Sequence, residues 1–181
     1  MTTEIIIAGF GGQGVLSMGK ILAYTGLMAD KNVSWFPSYG PEQRGGTANC
    51  TVIISDEEIS SPIIDTYDVA IILNQPSMER FESHVKAGGA IIYDPYGIIN
   101  PPTRKDIEVY SIAAMDEATK VGNAKAFNMF VLGGLLHILG ITDEEVVGAA
   151  LRKTLPERHH GLIPMNIEAL RTGAEIIEKQ A

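Results

Sequence analysis

The sequence predicts an α/β domain with three layers, α/β/α, a mostly parallel but mixed sheet and a Rossmann-like start. Short uncharged runs such as Ile5–Ala8 and Val69–Leu73 are typical of strands that are buried on both faces. Segments with a helical spacing of apolar residues, such as Val15–Ala29, alternate with these runs. No repeat, linker or low-complexity tract interrupts the alternation, so we expect residues 1–181 to fold as a single domain.

The first half of the chain is predicted to be rich in strands. After the strand Ile5–Ala8 and the helix Val15–Ala29, β-branched and aromatic residues predict further strands. These strands cover Val33–Phe36 and Thr47–Ile54. Ser55–Glu58 is typical of a hairpin turn and predicts a short strand around Ile59, which makes the sheet mixed.

The second half is predicted to alternate strands with helices and to end in helices. Its strands are Val69–Leu73, Ala90–Tyr93 and Ile107–Ile112, and a helix over Ser77–Val85 ends at Gly88–Gly89. Three further helices are predicted. The first covers Ala124–Leu139, and the second runs from a capping box at Thr142 to Leu155. The third covers Pro164–Lys179 and has Asn166 as its N-cap.

Composition excludes several classes of protein. The net charge of −8 argues against nucleic acid or an anionic membrane as a partner, because either would need a basic face. No apolar run approaches the roughly 20 residues of a membrane span, and residues 1–20 do not resemble a secretion signal. We therefore expect a cytoplasmic protein. The single cysteine, Cys50, cannot form a disulfide within the chain or hold an iron–sulfur cluster alone, which needs about four thiolates.

The first candidate site is the glycine loop Gly9-Phe10-Gly11-Gly12-Gln13-Gly14, which lies between a predicted strand and a predicted helix. Gly9, Gly11 and Gly14 match the dinucleotide fingerprint, in which glycines allow close approach of a phosphate to a helix N-terminus. The fingerprint also requires an acidic residue about 20 positions later, at the end of the second strand. Here that strand ends in Phe36-Pro37-Ser38, so the acidic residue that the fingerprint requires is missing. NAD or FAD, another phosphate-bearing ligand, a subunit contact and simple strand–helix packing all remain open.

The second candidate site is the loop Pro37–Gly46, which is predicted to lie at the same edge of the sheet. It is too polar for a core segment and too rich in glycine and proline for an unconstrained connection. Its candidate binding residues are Tyr39, Glu42, Arg44, Gly45 and Gly46. The alternative interpretation is that Glu42 and Arg44 pair locally and cap the sheet.

Together the two loops resemble the gamma subunit of the 2-oxoacid:ferredoxin oxidoreductases. That family pairs an opening GxGGQGV with a PSYGPExRGG loop, and this chain contains both, at residues 9–15 and 37–46. The resemblance continues more loosely through Asn128-Met129 and Ile163-Pro164-Met165-Asn166 and covers essentially the whole chain. The form of the second loop favours the 2-oxoglutarate and branched-chain members, with 2-oxoglutarate favoured overall, and the indolepyruvate members stay open.

The resemblance implies a multi-subunit enzyme that converts a 2-oxoacid to an acyl-coenzyme A and reduces ferredoxin. Thiamine diphosphate and iron–sulfur clusters would lie on alpha, beta and ferredoxin-like partner subunits, with coenzyme A as co-substrate of the complex. Gly9, Gly11, Gly12, Gln13 and Gly14, with the residues of the second loop, would contact a phosphate or a partner. The resemblance implies no catalytic acid or base here, so the isolated chain would be inactive and could form a homo-oligomer. Apolar surface near Phe127–Leu139 would be covered only in the complex.

Other polar residues suggest no separate site. His159 and His160 are adjacent and have no evident third ligand, so a metal site is not predicted. Asn128 lies in an apolar helix and is predicted to bond a loop backbone. Two other functions stay open at this point, a stand-alone nucleotide-binding oxidoreductase and an interaction module that binds no small ligand.

Overall fold

The structure is a computed structural model that describes residues 1–39 and 46–180, with only the backbone described at Tyr39. A six-stranded sheet has the order β2-β3-β1-β4-β5-β6. Its strands are β1 Thr2–Phe10, β2 Asn32–Tyr39, β3 Thr47–Ser55, β4 Tyr67–Ile72, β5 Val85–Tyr93 and β6 Glu108–Ser111. The α-helices are α1 Val15–Met28, α2 Gln75–Phe81, α3 Ala114–Lys120, α4 Phe127–Ile138, α5 Glu144–Thr154 and α6 Ile163–Glu178. The mostly parallel, mixed sheet of the prediction is confirmed.

The sheet is mixed because of one strand, β3. Strands β1, β4, β5 and β6 are parallel, whereas β3 pairs antiparallel with both β1 and β2. Because β2 is antiparallel to β3, it runs in the direction of β1, and the end of β2 lies at the same edge as the first glycine loop. The predicted hairpin at Ser55–Glu58 and the strand around Ile59 are wrong, since β3 already has neighbours on both sides and the chain leaves the sheet after Ser55.

Alternating side chains of the central strands divide the core between the two faces of the sheet. Ile5 and Ile7 of β1 join the larger cluster with Met18 of α1, while Ile6 joins the smaller one with Met78 of α2. The larger cluster also contains the buried residues of α3, α4, α5 and α6. The predicted three layers are therefore present, but the layer that contains α2 is thin.

Helix α4 is buried by the chain itself, so the expected partner-covered surface at Phe127–Leu139 is wrong. A Cβ placed on Gly133 would lie 1.9 Å from the carbonyl oxygen of Leu170 in α6. A Cβ placed on Gly173 of α6 would lie 1.8 Å from the carbonyl oxygen of Phe130. The two helices thus pack backbone against backbone, and a side chain at either glycine would push them apart.

Several predicted boundaries and caps are wrong. Helix α2 ends at Phe81 and not at Gly88–Gly89. These two glycines lie inside β5, in a bulge of four residues between the pairs Tyr67–Val85 and Val69–Ala90. The N-cap of α5 is Asp143 and not Thr142, because the Asp143 carboxylate accepts from the Glu145 amide at 2.9 Å.

Two further differences lie in the second half of the chain. Asn166 is inside α6, which begins at Ile163, so it is not the N-cap that was predicted. Helix α3 was not predicted, since its sequence carries no strong helical stripe; the buried Ala114 and Ala118 seat it against the core.

The first glycine loop lies next to the point where helices leave the sheet in opposite directions. Strands β1 and β4 are parallel neighbours, yet α1 follows β1 on the larger-core face and α2 follows β4 on the other face. A crevice outside the carboxyl ends of such strands is the usual ligand position in α/β sheets.

Candidate functional site

The first glycine loop leaves the start of helix α1 open to a ligand. Gly12 has φ +99° and Gly14 has φ +74°, conformations that side chains rarely adopt. Gly14 is the N-cap of α1, and no side chain among residues 1–38 and 46–180 caps the helix. The first turn contains no acidic residue. The first amides of a helix have no partner within the helix. The amides from Val15 to Ser17 therefore form a donor group that suits an anion.

Gln13 holds this loop in shape. Its Oε1 atom accepts a hydrogen bond from the Phe10 amide at 2.6 Å, and its Nε2 atom donates to the Leu73 carbonyl at 3.1 Å. A Cβ placed on Gly9 would lie 2.6 Å from Gln13 Oε1, so glycine at this position leaves room for the glutamine amide. The carboxamide thus ties the loop to the ends of β1 and β4. A ligand contact from Gln13, Gly9, Gly11, Gly12 or Gly14 stays a prediction.

The two loops meet through the backbone. The amide of Gly11 donates to the carbonyl of Gly46 at 2.9 Å. Strand β3 then continues from Thr47, which pairs with Phe10. The sequence-based expectation that both loops share one edge is confirmed for these residues. Glu42, Arg44, Gly45 and the side chain of Tyr39 lie outside the described residues, and their roles stay predictions.

A cleft of about 550 Å³ lies between the described parts of the loops. Its lining is mostly backbone and small side chains, from the first loop, the start of α1 and the start of β3. The lining residues are Phe10, Gly11, Gly12, Gly14, Val15, Leu16, Ser17, Gly46, Thr47 and Ala48. The described part of this lining contains backbone amides and no carboxylate, which suits a phosphate group.

The strand order argues against the dinucleotide mode of binding. In that mode the ribose-binding acid lies at the end of the strand beside β1. Here the neighbour of β1 on that side is β3, and β2 lies one strand further out, about 10 Å from β1. Both the missing acid and the inserted strand therefore remove the ribose contact.

Sequence reasoning missed a smaller cavity of about 200 Å³ beside the cleft, lined by both apolar and polar side chains. Residues from α1, α4, α6 and the segments before α4 and α6 line it. They are Ser17, Ile21, Asn123, Lys125, Ala126, Asn128, Met129, Leu155, His159, Leu162 and Asn166. Asn128 and Asn166 belong to the two stretches that carry the looser part of the family resemblance. That resemblance was the one sequence signal that could have pointed to this cavity.

Asn128 lies against the first loop. A Cβ placed on Gly14 would lie 2.5 Å from Asn128 Nδ2. The side chain therefore connects the cavity with the start of α1. The predicted hydrogen bond from Asn128 to a loop backbone stays a prediction.

Two other polar residues have structural roles. Burial raises the pKa of the Cys50 thiol to about 12, although hydrogen bonds with Trp35 and Gly19 act in the opposite direction. Burial also raises the pKa of Asp94, whose carboxylate accepts from the amides of Tyr96 at 2.9 Å and Met115 at 3.0 Å. Asp94 therefore orders the turn after β5, in agreement with the turn interpretation.

The opposite edge of the sheet contains a second large cleft with a different chemistry. This cleft of about 420 Å³ includes Lys86 and Asp68. The ammonium of Lys86 bonds Glu4 at 2.7 Å and Asp68 at 2.9 Å. Burial lowers the pKa of Lys86, but these two carboxylates outweigh burial and raise it overall. The charged groups here satisfy one another.

Residues 1–39 and 46–180 contain no cluster of three or more histidine, cysteine, aspartate or glutamate residues that could hold a metal ion. His160 contacts the Leu155 carbonyl at 3.0 Å, and His159 accepts from Arg158 at 3.3 Å. In the same part of the chain, no helix is long and apolar enough to cross a membrane.

Comparison with protein families gives one match over nearly the whole chain. Residues 4–176 match the family described as pyruvate ferredoxin/flavodoxin oxidoreductase. The ketoisovalerate oxidoreductase subunit VorA of Methanothermobacter thermautotrophicus is 43% identical over 95% of this chain and 36% of its own length. The 2-oxoglutarate synthase subunit KorC of Methanothermobacter marburgensis is 34% identical over 98% of this chain and 97% of its own length. The chain thus spans about a third of VorA and nearly all of KorC.

Solved structures give the same result. The gamma subunit of a keto/oxoacid ferredoxin oxidoreductase from Geobacter sulfurreducens has a TM-score of 0.83 and 25% identity, over 99% of this chain and 98% of that one. A 2-oxoglutarate:ferredoxin oxidoreductase from Magnetococcus marinus was solved with 2-oxoglutarate, coenzyme A and succinyl-CoA bound. It has a TM-score of 0.87 and 26% identity, over 98% of this chain and 31% of that one.

Proposed function

This chain belongs to the pyruvate ferredoxin/flavodoxin oxidoreductase family as a gamma-type subunit, and we propose that its glycine loops hold coenzyme A in a 2-oxoacid:ferredoxin oxidoreductase. The complex would oxidatively decarboxylate a 2-oxoacid, transfer the acyl group to coenzyme A and reduce ferredoxin. The observation that carries the proposal is the hydrogen bond of 2.9 Å between Gly11 and Gly46, which makes one cleft from two loops. The structure from Magnetococcus marinus supports it, since coenzyme A is bound there.

The residues of the cleft fit a phosphorylated ligand. The cleft of about 550 Å³ is within the usual range for small-ligand sites, roughly 300–1,000 Å³. The amides at the start of α1 would face the diphosphate, because the helix dipole and the uncapped donors both favour negative charge there. Arg44 and Tyr39 of the second loop would complete the contact, since a guanidinium binds phosphate with two parallel hydrogen bonds.

The contribution of this chain would be positional. When bound, coenzyme A supplies the thiol that accepts the acyl group. The chain would hold the nucleotide end of the molecule, and binding energy gained there would orient the thiol end toward the partner subunits. No side chain of the described cleft is an acid or a base, so proton transfer would be carried out by the partners.

The other cofactors would lie on the partner subunits. The single cysteine is buried and cannot supply the ligands of an iron–sulfur cluster. Thiamine diphosphate and the clusters would therefore belong to alpha, beta and ferredoxin-like subunits in the cytoplasm. Alone, the chain would be inactive, and a homo-oligomer of the isolated chain is compatible with this function.

For the 2-oxoacid, we propose 2-oxoglutarate or a branched-chain 2-oxoacid. The form of the second loop favours these two classes alike, and the match to nearly the whole length of KorC supports 2-oxoglutarate. The identity of 43% with VorA favours a branched-chain substrate. The two are separated by assaying the reconstituted complex with 2-oxoglutarate and with 3-methyl-2-oxobutanoate.

The test of the cleft is a matched pair of glycine variants, Gly12→Ala and Gly122→Ala. Both glycines have positive φ, +99° and +72°, and a Cβ on either meets no atom within 4 Å. Both substitutions should therefore cost about 1 kcal/mol of unfolding free energy through backbone strain alone. Titration calorimetry with coenzyme A should show binding weakened at least tenfold in Gly12→Ala and unchanged in Gly122→Ala.

Equal affinities in the two variants would show that the first loop does not hold coenzyme A. Saturable binding of NAD by the wild-type chain, with no binding of coenzyme A, would instead favour the stand-alone oxidoreductase. Absence of binding to both ligands would leave the loops a role in subunit assembly only.

A further inference from the structure

The two outer strands of the sheet, β2 and β6, differ in how their free sides are protected. The outer side of an edge strand carries amides and carbonyls that can pair with a strand of another chain. Proteins usually prevent this pairing with short edge strands, charged side chains, proline or a covering segment. An edge without such protection is therefore a candidate interface.

Strand β6 is protected by the chain itself. It is four residues long and begins with the charged residue Glu108. The carboxamide of Gln180 exchanges two hydrogen bonds with Ser111, since its Oε1 atom accepts from the amide at 3.0 Å and its Nε2 atom donates to the carbonyl at 2.8 Å. A side-chain amide thus occupies the place where the next strand would pair.

Strand β2 is longer and less protected. It spans eight residues, Asn32–Tyr39, and none of them is charged, although 20% of the chain is. Among residues 1–39 and 46–180, no strand pairs with its outer side. Pro37 removes one amide donor, so the capacity for pairing lies in the residues before it. Trp35 is 36% exposed and Phe36 is 48% exposed, and consecutive side chains of a strand point to opposite faces.

Helix α1 adds apolar surface beside this edge. It packs on β2, because a Cβ placed on Gly19 would lie 2.9 Å from Trp35 Nε1. Nine residues of an α-helix make about two and a half turns, so Leu27 lies on the side of α1 opposite the buried Met18. Leu27 is 48% exposed and faces away from the core, beyond the edge of the sheet.

A partner for this surface must offer a strand edge and an apolar helix face together. A second copy of the chain offers both. Antiparallel pairing of two identical strands creates a two-fold axis perpendicular to the sheet, so each face of the sheet continues into the same face of the other copy. Helix α1 of one copy would then lie beside α1 of the other, with Leu27 and Trp35 of both copies near the junction.

We infer that two copies of this chain associate edge to edge through β2 and join their six-stranded sheets into one. Association stops at two copies, because a two-fold interface uses both β2 edges and Gln180 protects the β6 edges. The inference is independent of the proposed function, since it requires neither coenzyme A nor another kind of subunit.

Sedimentation equilibrium of the full chain, followed over a wide range of protein concentration, tests the association. The mass should rise from that of one chain to that of two and no further. Hydrogen exchange of the β2 amides should become slower as the dimer forms, and exchange in β6 should not change. A mass of one chain at every concentration, or association without slower exchange in β2, would overturn the inference.

A matched pair of variants, Phe36→Lys and Val109→Lys, tests which edge is used. Both replace an exposed apolar residue of an edge strand, 48% exposed in β2 and 38% exposed in β6. A lysine on an edge strand opposes pairing, and a two-fold interface receives two of them. Phe36→Lys should therefore raise the dissociation constant of the dimer about tenfold, and Val109→Lys should leave it unchanged.

A second pair, Leu27→Lys and Val121→Lys, tests the contribution of α1. These apolar residues are similarly exposed, 48% and 55%, so both variants should fold, as circular dichroism would verify. Leu27→Lys should weaken the dimer, and Val121→Lys should not. A dimer as strong as the wild type in both Phe36→Lys and Leu27→Lys would overturn the inference, and so would equal weakening by Phe36→Lys and Val109→Lys.

Discussion

The carboxyl and amino edges of the sheet each contain a large cleft, of about 550 Å³ and 420 Å³, but their chemistry differs. At the amino edge, Lys86 lies between Glu4 and Asp68 and the charges satisfy one another. At the carboxyl edge, the donors are backbone amides at the start of α1, and no side chain in the described part of the chain caps them.

The difference shows that cleft volume alone does not identify a site. A group of paired charges gains little from a ligand, because the ligand must first displace an existing partner. Uncapped amides at a helix N-terminus lose nothing when an anion replaces water. The loop at the carboxyl edge is also held in place by Gln13, so its donors are arranged before a ligand arrives.

The largest expected effect is that of Gln13→Leu at the carboxyl edge. The substitution removes the bonds to Phe10 and Leu73, which should cost about 1 kcal/mol of unfolding free energy and open the loop. Coenzyme A binding should weaken at least tenfold, measured by calorimetry, with stability measured by denaturant unfolding.

Gln75→Leu is the matched control for this variant. Gln75 Oε1 also accepts from backbone amides, those of Ile99 and Asn100, both at 2.9 Å. Its bonds lie outside the glycine loop, so their loss should leave coenzyme A binding unchanged. Equal losses of affinity in both variants would contradict the role assigned to Gln13.

A smaller effect is expected from Lys86→Met at the amino edge. The ion pairs are partly exposed, so their loss should cost about 0.5 kcal/mol of unfolding free energy, and coenzyme A binding should stay as in the wild type. Lys120→Met, which removes an exposed pair with Glu117 on α3, is the control for loss of a lysine charge. Weaker coenzyme A binding in Lys86→Met alone would show that the two edges are coupled.

The smallest effect concerns pH at the amino edge. The hydrogen bond from Lys31 lowers the pKa of Asp56 from 3.8 to about 2. A carboxylate with a lowered pKa stabilises the folded state above its unfolded pKa, and the contribution disappears as pH falls through the folded value. The melting temperature of the wild type should therefore exceed that of Asp56→Asn by a constant amount above pH 5, and this difference should shrink as pH falls from 4 and vanish only below pH 2. In the Lys31→Gln background only the Met1 ammonium still lowers this pKa, so the difference above pH 5 should become smaller. An unchanged difference would contradict the role of Lys31.

The fold was largely predictable because its strongest signals are local. The buried centres of strands β1, β4 and β5 are uncharged runs rich in β-branched residues, and helix α1 has apolar residues at helical spacing. Boundaries and caps were less predictable, since Asp143 and Thr142 are both good N-caps and only the course of the chain selects one. Helix α3 was missed because it is seated by two small alanines and not by a periodic stripe.

The candidate site was predictable in its loops and not in its cavity. The glycines of residues 9–14 and 37–46 are visible in sequence because close backbone approach requires them. Asn128 and Asn166 belong to different helices, and no spacing rule connects positions that far apart in the chain. Their common cavity depends on the packing of α4 against α6, which glycines at 133 and 173 make close.

By itself the sequence determined the fold class, the family resemblance and the two loops of the site. These features depend on residues near one another in the chain, where backbone geometry and apolar periodicity are local properties. Only the tertiary structure decided that β3 separates β1 from β2, that the loops join at Gly11 and Gly46, and that α4 is buried within the chain. Strand order and helix packing depend on contacts between distant residues, and such contacts are chosen by the burial of the whole core.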